Sequence, residues 1–264
     1  MRGSLSSLKR FFSGTSASSR GGFRVPEGQR VYAIGDIHGR ADLLTELHSQ
    51  ILDDHQAAGG RNSAVAVYLG DYIDRGTESR KVIDLLLDEP LAGLESVHLK
   101  GNHEEAMLRF LEHPAIGPQW FGFGGEATVM SYGAKAPRSL DDKAYYAELS
   151  DQMRACVPSR HKAFLEGLKL QYRAGDYLFV HAGIRPGCPL EEQDPDDLLW
   201  IRSEFLNSRV DHGVMVVHGH TPTARPDVRS NRIGIDTGAF ASGALTCLVL
   251  EGSAKRFLST SLRR

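Results

Sequence analysis

Between residues 31 and 111 the chain repeats one pattern three times: a short apolar stretch, a glycine followed by polar residues, and a segment with helical spacing. In the first copy, apolar residues 31–34 lead to Gly35 and then to 41–52, where large apolar side chains recur every three or four positions. The later copies predict strands at 64–69 and 96–99 and helices at 79–87 and 104–111. Three such units indicate an α/β fold with a largely parallel sheet flanked by helices. The residues that follow the strands would then meet at one edge.

The rest of the chain is less uniform. Residues 113–160 carry several glycines and little periodicity, which predicts a loop-rich insertion with a small helical region. Beyond it the pattern favours strands, with one helical stretch at 196–206. The predicted strands are a hairpin of 170–173 and 177–180, followed by 214–217, 233–236 and 245–250.

Composition excludes several classes of protein. The chain has 264 residues and a net charge of -2, so no overall basic field would recruit nucleic acid. Its longest uncharged apolar stretch, at 243–250, is far shorter than the roughly 18 to 20 residues that cross a bilayer, and we expect no integral membrane association. Three cysteines, at spacings typical of neither a zinc site nor a redox pair, favour a reducing compartment, and we predict a cytoplasmic protein.

The N-terminal segment differs from the rest. Residues 1–24 are basic, rich in serine and glycine, and free of acidic residues. Such a segment buries too little apolar surface to offset the entropy lost on ordering. We therefore predict a flexible tail over 1–24 and a single domain over 25–264. An organellar transit peptide and a weak interfacial helix are the alternatives for this segment.

The ends of five predicted strands carry oxygen and imidazole side chains. Each motif alone is more often a turn beside a core histidine, but five of the eleven histidines fall in these motifs. Glycines let the backbone turn tightly around such ligands, and together they indicate a dinuclear metal centre. The motifs are GDIHG at 35–39, GDYIDRG at 70–76, GNHE at 101–104, HAG at 181–183 and HGHT at 218–221.

These motifs, in this order and at these spacings, resemble the PPP family of metallophosphatases, in particular its compact bacterial and phage-type serine/threonine protein phosphatases. The resemblance covers roughly residues 30–250. It implies a calcineurin-like metallophosphoesterase fold, in which a central two-sheet β-sandwich is flanked by helices and the domain over 25–264 is catalytic. It also implies a metal-dependent phosphomonoesterase that hydrolyses phosphoserine and phosphothreonine on proteins, with a hydroxide activated by two metals as nucleophile.

The resemblance implies a set of metal ligands. Asp71 would bridge two divalent cations and offset their repulsion. The first cation would also be held by Asp36 and His38, and the second by Asn102, His181 and His220. This mixture of carboxylate, amide and imidazole suits Mn²⁺ best, with Fe or Zn as alternatives. We expect His218, Tyr72 and Trp200 to pack and not to bind.

The resemblance also implies which residues act on the substrate. His103 would be the general acid for the leaving alkoxide, with Asp74 accepting a hydrogen bond that stabilises its imidazolium. Arg75 and Arg202 would bind the substrate phosphate, because a guanidinium presents paired donors to phosphate oxygens. Glu104 is expected to cap or orient the helix that follows.

The main alternative is a dinucleoside polyphosphate hydrolase, since symmetric diadenosine tetraphosphatases resemble the chain over the same region. Those relatives generally replace the aspartate of GDxxDRG and read GNHD, whereas Asp74 and Glu104 follow the protein-phosphatase pattern. A non-catalytic binding protein would have lost a ligand or His103, and neither is missing. We therefore predict a phosphoprotein or phosphopeptide substrate, no nucleic-acid partner and a monomer. Preference for serine/threonine over tyrosine stays open, because the site chemistry is shared.

Overall fold

A computed structural model describes residues 22–59, 63–135, 137 and 141–260. The strands are β1 (Gln29–Ile34), β2 (Ser63–Tyr68), β3 (Glu95–His98), β4 (Gln171–Ala174), β5 (Tyr177–Val180), β6 (Met215–His218), β7 (Asp227–Val228), β8 (Arg232–Gly234), β9 (Thr246–Glu251) and β10 (Ala254–Ser259). The α-helices are α1 (Ala41–Ala57), α2 (Ser79–Asp88), α3 (Asn102–Glu112), α4 (Gly117–Gly122), α5 (Gly125–Ser131), α6 (Asp142–Cys156), α7 (Ser159–Glu166), α8 (Pro195–Trp200), α9 (Ser203–Leu206) and α10 (Ala239–Ser242). Short 3₁₀ helices lie at Pro114–Ile116 and Leu190–Glu192.

The strands form two five-stranded sheets. The order of the first is β10-β9-β1-β2-β3, in which β1, β2 and β3 are parallel and β9 runs antiparallel to β1. The order of the second is β4-β5-β6-β8-β7, in which β5, β6 and β8 are parallel. The three predicted strand–loop–helix units are therefore confirmed, as is the predicted β4–β5 hairpin.

Alternating side chains explain why the sheets stack. In β1, Val31 and Ala33 pack in the same apolar cluster as Phe179 of the second sheet. Their neighbours Tyr32 and Ile34 point to the other face and pack among the helices. Because successive strand residues face opposite sides, one strand contributes to both layers. The two-sheet sandwich flanked by helices is confirmed.

The segment predicted to be loop-rich is mainly helical. Helices α4 to α6 lie within 113–160 and α7 begins at its end, so the loop prediction was wrong there. Two of its glycines allow close packing: a Cβ on Gly117 would lie 2.1 Å from the ring of Tyr146, and one on Gly125 would lie 2.6 Å from the ring of Trp120. From sequence, a glycine among apolar residues is interpreted as a helix breaker. Here the absence of a Cβ allows a neighbouring ring to pack against the glycine.

Two smaller differences concern the second half of the chain. The helix predicted over 196–206 is divided into α8 and α9, because Arg202 has φ -131° and ψ -96°, outside the helical region. Strand β10 was not predicted, and it pairs antiparallel with β9 at the edge of the first sheet. Its side chains are mostly exposed, so it lacks the apolar alternation by which strands are recognised.

Most of the predicted tail, residues 1–21, lies outside the described residues. Within the described part, the Arg24 N–H donates to Asp176 Oδ2 at 2.9 Å and the Phe23 ring lies 6.4 Å from that of Tyr177. The boundary at 24/25 stays a prediction. No helix in the described ranges has both the length and the apolar character needed to cross a bilayer.

Candidate metal centre

The predicted ligands meet at one edge of the sandwich, where strands from both sheets end. Asp36 and His38 follow β1, Asp71 follows β2, and Asn102 begins α3 directly after β3. From the second sheet, His181 follows β5 and His220 follows β6. All six side chains are buried. The structure therefore brings together every ligand that the resemblance implied, and their roles in metal binding stay a prediction.

Asp71 occupies the middle of this cluster. Its Oδ2 lies 3.5 Å from His38 Nε2, and its Oδ1 lies 3.4 Å from His181 Nε2. Potential ligand atoms lie within 4.8 Å of one another in two groups that share Asp71: one with His38 and His103, the other with His181 and His220. A carboxylate with one oxygen toward each group has the placement that a bridge between two cations requires.

Asn102 joins the second group. Its Oδ1 lies 3.0 Å from His181 Nε2 and 2.8 Å from His220 Nδ1. Backbone carbonyls fix two of the imidazoles: His181 Nδ1 lies 2.8 Å from the Leu69 carbonyl and His38 Nδ1 lies 2.9 Å from the Ile73 carbonyl. These contacts leave Nε2 of both rings facing the cluster, which is how metal-binding histidines are commonly oriented.

Asp36 lies beside the second-sheet loop. Its Oδ2 accepts a hydrogen bond from the His220 N–H at 2.9 Å. A Cβ on Gly219 would lie 2.0 Å from Asp36 Oδ1, so only glycine allows this approach. Asp36 Oδ1 and His220 Nε2 are buried without a hydrogen-bond partner among the described residues. Buried polar atoms without partners are costly, and here both belong to metal-ligand types, so the residues present fit divalent cations.

The pKa values of these side chains are shifted in directions that suit cation binding. Burial lowers the pKa of His38 to about 3 and that of His220 to about 2, so both imidazoles are neutral and able to bind metal. Burial opposes ionisation of Asp71, but the surrounding imidazoles, His181 first, lower its pKa below the ordinary value. Burial and the negative charges of Asp236 and Asp71 raise the pKa of Asp36. Repelling carboxylates of this kind are what a bound cation would stabilise.

His103 and Asp74 form a buried pair beside the cluster. His103 Nδ1 lies 2.7 Å from Asp74 Oδ2, and His103 Nε2 lies 3.7 Å from Asp71 Oδ2. Burial disfavours the imidazolium, but the carboxylates of Asp71 and Asp74 raise the pKa of His103. Two further donors hold Asp74: Trp120 Nε1–H at 2.9 Å and Thr128 Oγ1–H at 2.6 Å. Sequence reasoning missed both, because they lie in the segment expected to be loop-rich.

Glu104 does more than the predicted capping. Its Oε2 accepts from the backbone N–H groups of Gly101 and Asp71, each at 2.9 Å, and its Oε1 accepts from the Tyr72 N–H at 2.8 Å. One side chain thus joins the start of α3 to the loop after β2. Burial, followed by the charge of Asp71, raises the pKa of Glu104 to about 7.

The two predicted phosphate-binding arginines differ in placement. Arg75 lies directly at the cluster, with its guanidinium 2.9 Å from His38 Nε2 and 3.3 Å from His103 Nε2. Arg202 is exposed at the break between α8 and α9, and its positive charge contributes to lowering the pKa of His181 and His220. Both guanidinium groups are therefore close enough to act electrostatically on the cluster.

Three aromatic side chains border the cluster. The Phe240 ring, 39% exposed, lies 5.6 Å from the His38 ring and 5.0 Å from the guanidinium carbon of Arg75. The Phe123 ring lies 5.9 Å from that of His103 and 5.4 Å from that of Trp200. Trp200 in turn lies 6.3 Å from the His220 ring and is partly buried. We call Phe123, Trp200 and Phe240 the aromatic rim.

The backbone at this edge is strained. Within the described residues, the non-glycine positions with positive φ all belong to the site: His38, Asp71, Asp74, Arg75 and His220. Such conformations are uncommon for residues with a Cβ, and they persist where the surrounding structure enforces them. Such a concentration is typical of functional sites.

Two neighbouring residues complete the description. His218 is buried against Phe205, with ring centroids 5.1 Å apart, so its side chain packs as expected. Asp236 is a buried acid that sequence reasoning missed. Its Oδ1 accepts from the Gly238 N–H at 2.8 Å, and burial raises its pKa to about 6. It follows β8 just as the ligands follow their strands, so the strand-end signal would have found it.

Comparisons with known proteins identify the family of this chain. A family model described as calcineurin-like phosphoesterase matches residues 29–241. Asymmetrical bis(5'-nucleosyl)-tetraphosphatase PrpE of Oceanobacillus iheyensis is 27% identical, over 89% of this chain and 93% of that protein. Serine/threonine-protein phosphatase 2 of Escherichia coli is 25% identical, over 83% of this chain and 91% of that protein.

A solved structure adds evidence for the fold. The cold-active protein-tyrosine phosphatase of a psychrophilic Shewanella superposes with a TM-score of 0.51, at 17% identity, over 89% of this chain and 83% of that one. The family match spans most of the chain, including the loops after β1, β2, β3, β5 and β6. The chain belongs to the calcineurin-like phosphoesterase family.

Proposed function

We propose that this phosphoesterase hydrolyses dinucleoside polyphosphates, cleaving a phosphoanhydride bond. The observation that carries the proposal is the aromatic rim beside a phosphate-binding cluster: Phe240 lies against both Arg75 and His38. Exposed aromatic faces can stack on a nucleobase, while the guanidinium binds the phosphate chain. Relatives named as bis(5'-nucleosyl)-tetraphosphatases, aligned over most of their length, support the same substrate class.

The proposed roles follow from the contacts. Asp36 and His38 would hold one divalent cation, Asn102, His181 and His220 would hold the other, and Asp71 would contribute to both. Bound cations would supply positive charge against the phosphate oxygens and activate the attacking water. Arg75 and Arg202 orient the phosphate and offset negative charge on its oxygens.

In this proposal His103 protonates the leaving oxygen. Its Nδ1 is occupied by Asp74 at 2.7 Å, so its Nε2 is the nitrogen that faces the cluster and can hand over a proton. Asp74 orients the ring and is itself fixed by Trp120 and Thr128. This arrangement helps most when the leaving group is strongly basic.

That same pair favours a second candidate, the hydrolysis of phosphoserine and phosphothreonine predicted from the sequence. An alkoxide needs a proton far more than a nucleotide does, and a fixed His103–Asp74 pair supplies one. The relative named serine/threonine-protein phosphatase 2 supports this candidate. We rank it second because six of the relatives that match the chain are named as tetraphosphatases and two as protein phosphatases.

A substrate panel tests the ranking. Purified protein loaded with Mn²⁺ is assayed on diadenosine tetraphosphate and on phosphoserine and phosphothreonine peptides. We expect kcat/KM for the dinucleotide to exceed that for the best peptide at least about tenfold, which corresponds to roughly 1.4 kcal/mol of transition-state stabilisation. A peptide preferred by the same margin would reverse the ranking. Asp71→Asn, prepared in parallel, should be inactive on both and so exclude a contaminating phosphatase.

A further inference from the structure

A cavity of about 550 Å³ opens at the end of the second sheet that lies away from the metal cluster. It is lined by two short segments, residues 206–209 and 229–232. These segments lie before the amino ends of β6 and β8, whereas His220 and Asp236 follow the carboxyl ends of the same parallel strands. Four strand residues span roughly 13 Å, so the cavity is separate from the cluster.

The cavity is positively charged. Arg209, Arg229 and Arg232 line it, and no acidic side chain is among the lining residues. The nearest partner is Asp227, whose two oxygens bind Arg229 and Arg232, each at 2.7 Å. One carboxylate thus pairs with two of the three guanidinium groups, in a protein whose net charge is -2. Asp211 lies in a loop nearby, where its Oδ1 accepts from the Gly213 N–H at 2.9 Å.

Arg232 is a buried cation behind the cavity. It is 5% exposed, and its Nε is buried without a hydrogen-bond partner among the described residues. Its terminal nitrogens are occupied, one by Asp227 and the other by the Leu206 carbonyl at 3.0 Å. Because Nε is closed to solvent, an anion in the cavity would act on Arg232 through its charge and offset part of the cost of burying this cation.

The cavity is also held in shape. Asn231 Nδ2 donates to the Ser208 carbonyl at 3.1 Å and to the Val210 carbonyl at 2.9 Å, which joins the two lining segments. A binding site whose walls are already fixed loses little entropy when it is occupied.

We propose that this cavity is a second anion site, which binds the phosphate groups of a pyrophosphate or nucleoside diphosphate. Guanidinium groups match phosphate oxygens through paired donors, and a cavity of this volume lies within the range of small-molecule sites. Arg209 and Arg229 are the exposed contacts, with Arg232 as the buried charge behind them.

The test measures binding of inorganic pyrophosphate by calorimetry. The full chain carries Arg75→Ala, which weakens binding at the catalytic cluster. Into this background are placed Arg209→Ala with Arg229→Ala, and, as a control of equal charge loss, Arg80→Ala with Arg160→Ala. Arg80 and Arg160 are exposed arginines of α2 and α7 that pair with Asp84. Arg232 is left intact because it is buried, and a thermal midpoint checks that each variant folds.

We expect the cavity variant to bind pyrophosphate at least about tenfold more weakly than its parent, and the control to stay within about twofold. Absence of pyrophosphate binding in the parent, or equal affinities in the cavity and control variants, would overturn the proposal. A parallel titration with ADP identifies the source of the phosphate. Tighter binding of ADP indicates a nucleotide site, and equal or weaker binding indicates a site for inorganic phosphates. Because turnover is not the readout, the result is independent of the proposed catalytic function.

Discussion

His103→Asn is the substitution that most directly tests how the site handles its leaving group. Asparagine keeps a polar side chain of similar reach but cannot donate a proton as an acid. If His103 protonates the leaving oxygen, the loss of activity should grow with the basicity of that oxygen. The prediction therefore concerns a ratio between substrates and not one rate.

The expected losses of activity follow from typical contributions of general acids and buried hydrogen bonds. General acid catalysis contributes about 10²- to 10⁴-fold, so His103→Asn should lower kcat on phosphoserine by that factor. On p-nitrophenyl phosphate, whose leaving group needs little help, the loss should be about tenfold or less. Asp74→Asn removes one buried charge-assisted hydrogen bond, of 2.7 Å. Such a bond contributes roughly 1.5 to 3 kcal/mol, so we expect roughly a 10- to 150-fold loss on phosphoserine.

The assay compares kcat for both substrates in the wild type, His103→Asn and Asp74→Asn, with metal content measured in each preparation. Metal content also decides a second point, because His103 lies in a group of potential ligands with His38 and Asp71. We expect both variants to keep their metals. Trp120→Phe, which removes one donor to Asp74 but keeps an apolar ring, should follow Asp74→Asn more weakly.

Equal losses on the two substrates, with metals retained and chemistry shown to be rate-limiting, would refute the acid assignment. His103 would then act on the phosphoryl group or on the attacking water. Loss of one metal in His103→Asn would instead make this residue a ligand.

Three further predictions concern other parts of the molecule. Chelation should abolish activity and Mn²⁺ should restore it. Asp71→Asn should weaken metal binding more than Asn102→Ala, because Asp71 belongs to both ligand groups. Two metals retained in Asp71→Asn at near wild-type activity would contradict this. Phe240→Ala should raise KM for diadenosine tetraphosphate by about tenfold and change KM for a phosphopeptide little. The control Phe240→Tyr keeps the ring and should stay near wild type. Equal changes in KM on both substrates would exclude base stacking. Burial raises the pKa of Asp54, but hydrogen bonds from Arg256 and Tyr32 outweigh it, so the folded pKa lies below the ordinary value. The ionised Asp54 therefore stabilises the folded protein fully above the unfolded pKa of about 3.9, and this stabilisation is lost as the pH falls through the folded pKa. Asp54→Asn should therefore reduce the thermal midpoint by roughly 2–4 °C at pH 7 and by less below pH 3, and a difference that grew in acid would refute the assignment.

The sequence sufficed for the parallel units and the cluster because both depend on local patterns. A buried strand, a glycine and a carboxylate or histidine recur within a few residues, as in β1 followed by Asp36 and His38. Parallel strands then bring their carboxyl ends to one edge without further information. Chain order and topology together therefore predicted which side chains meet.

Contacts between distant segments were not predictable in this way. Trp120 and Thr128 reach Asp74 across 46 and 54 residues, and neither belongs to a motif. Their position depends on how α4 and α5 pack, which periodicity does not encode when helices have only six or seven residues. The aromatic rim is similar, since Phe123, Trp200 and Phe240 come from three separate loops or helix ends.

Substrate choice in this family must therefore be sought outside the metal cluster. Similar proteins are named for nucleotide and for phosphoprotein substrates, so membership of the family does not distinguish the two. The residues that can distinguish them border the cluster without binding metal, and Phe240 and Trp200 meet that condition at its two ends, against His38 and His220. Substitutions on the rim should change the ratio of kcat/KM between dinucleotide and phosphopeptide while leaving metal content intact. Substitutions at Asp71 should lower both activities together.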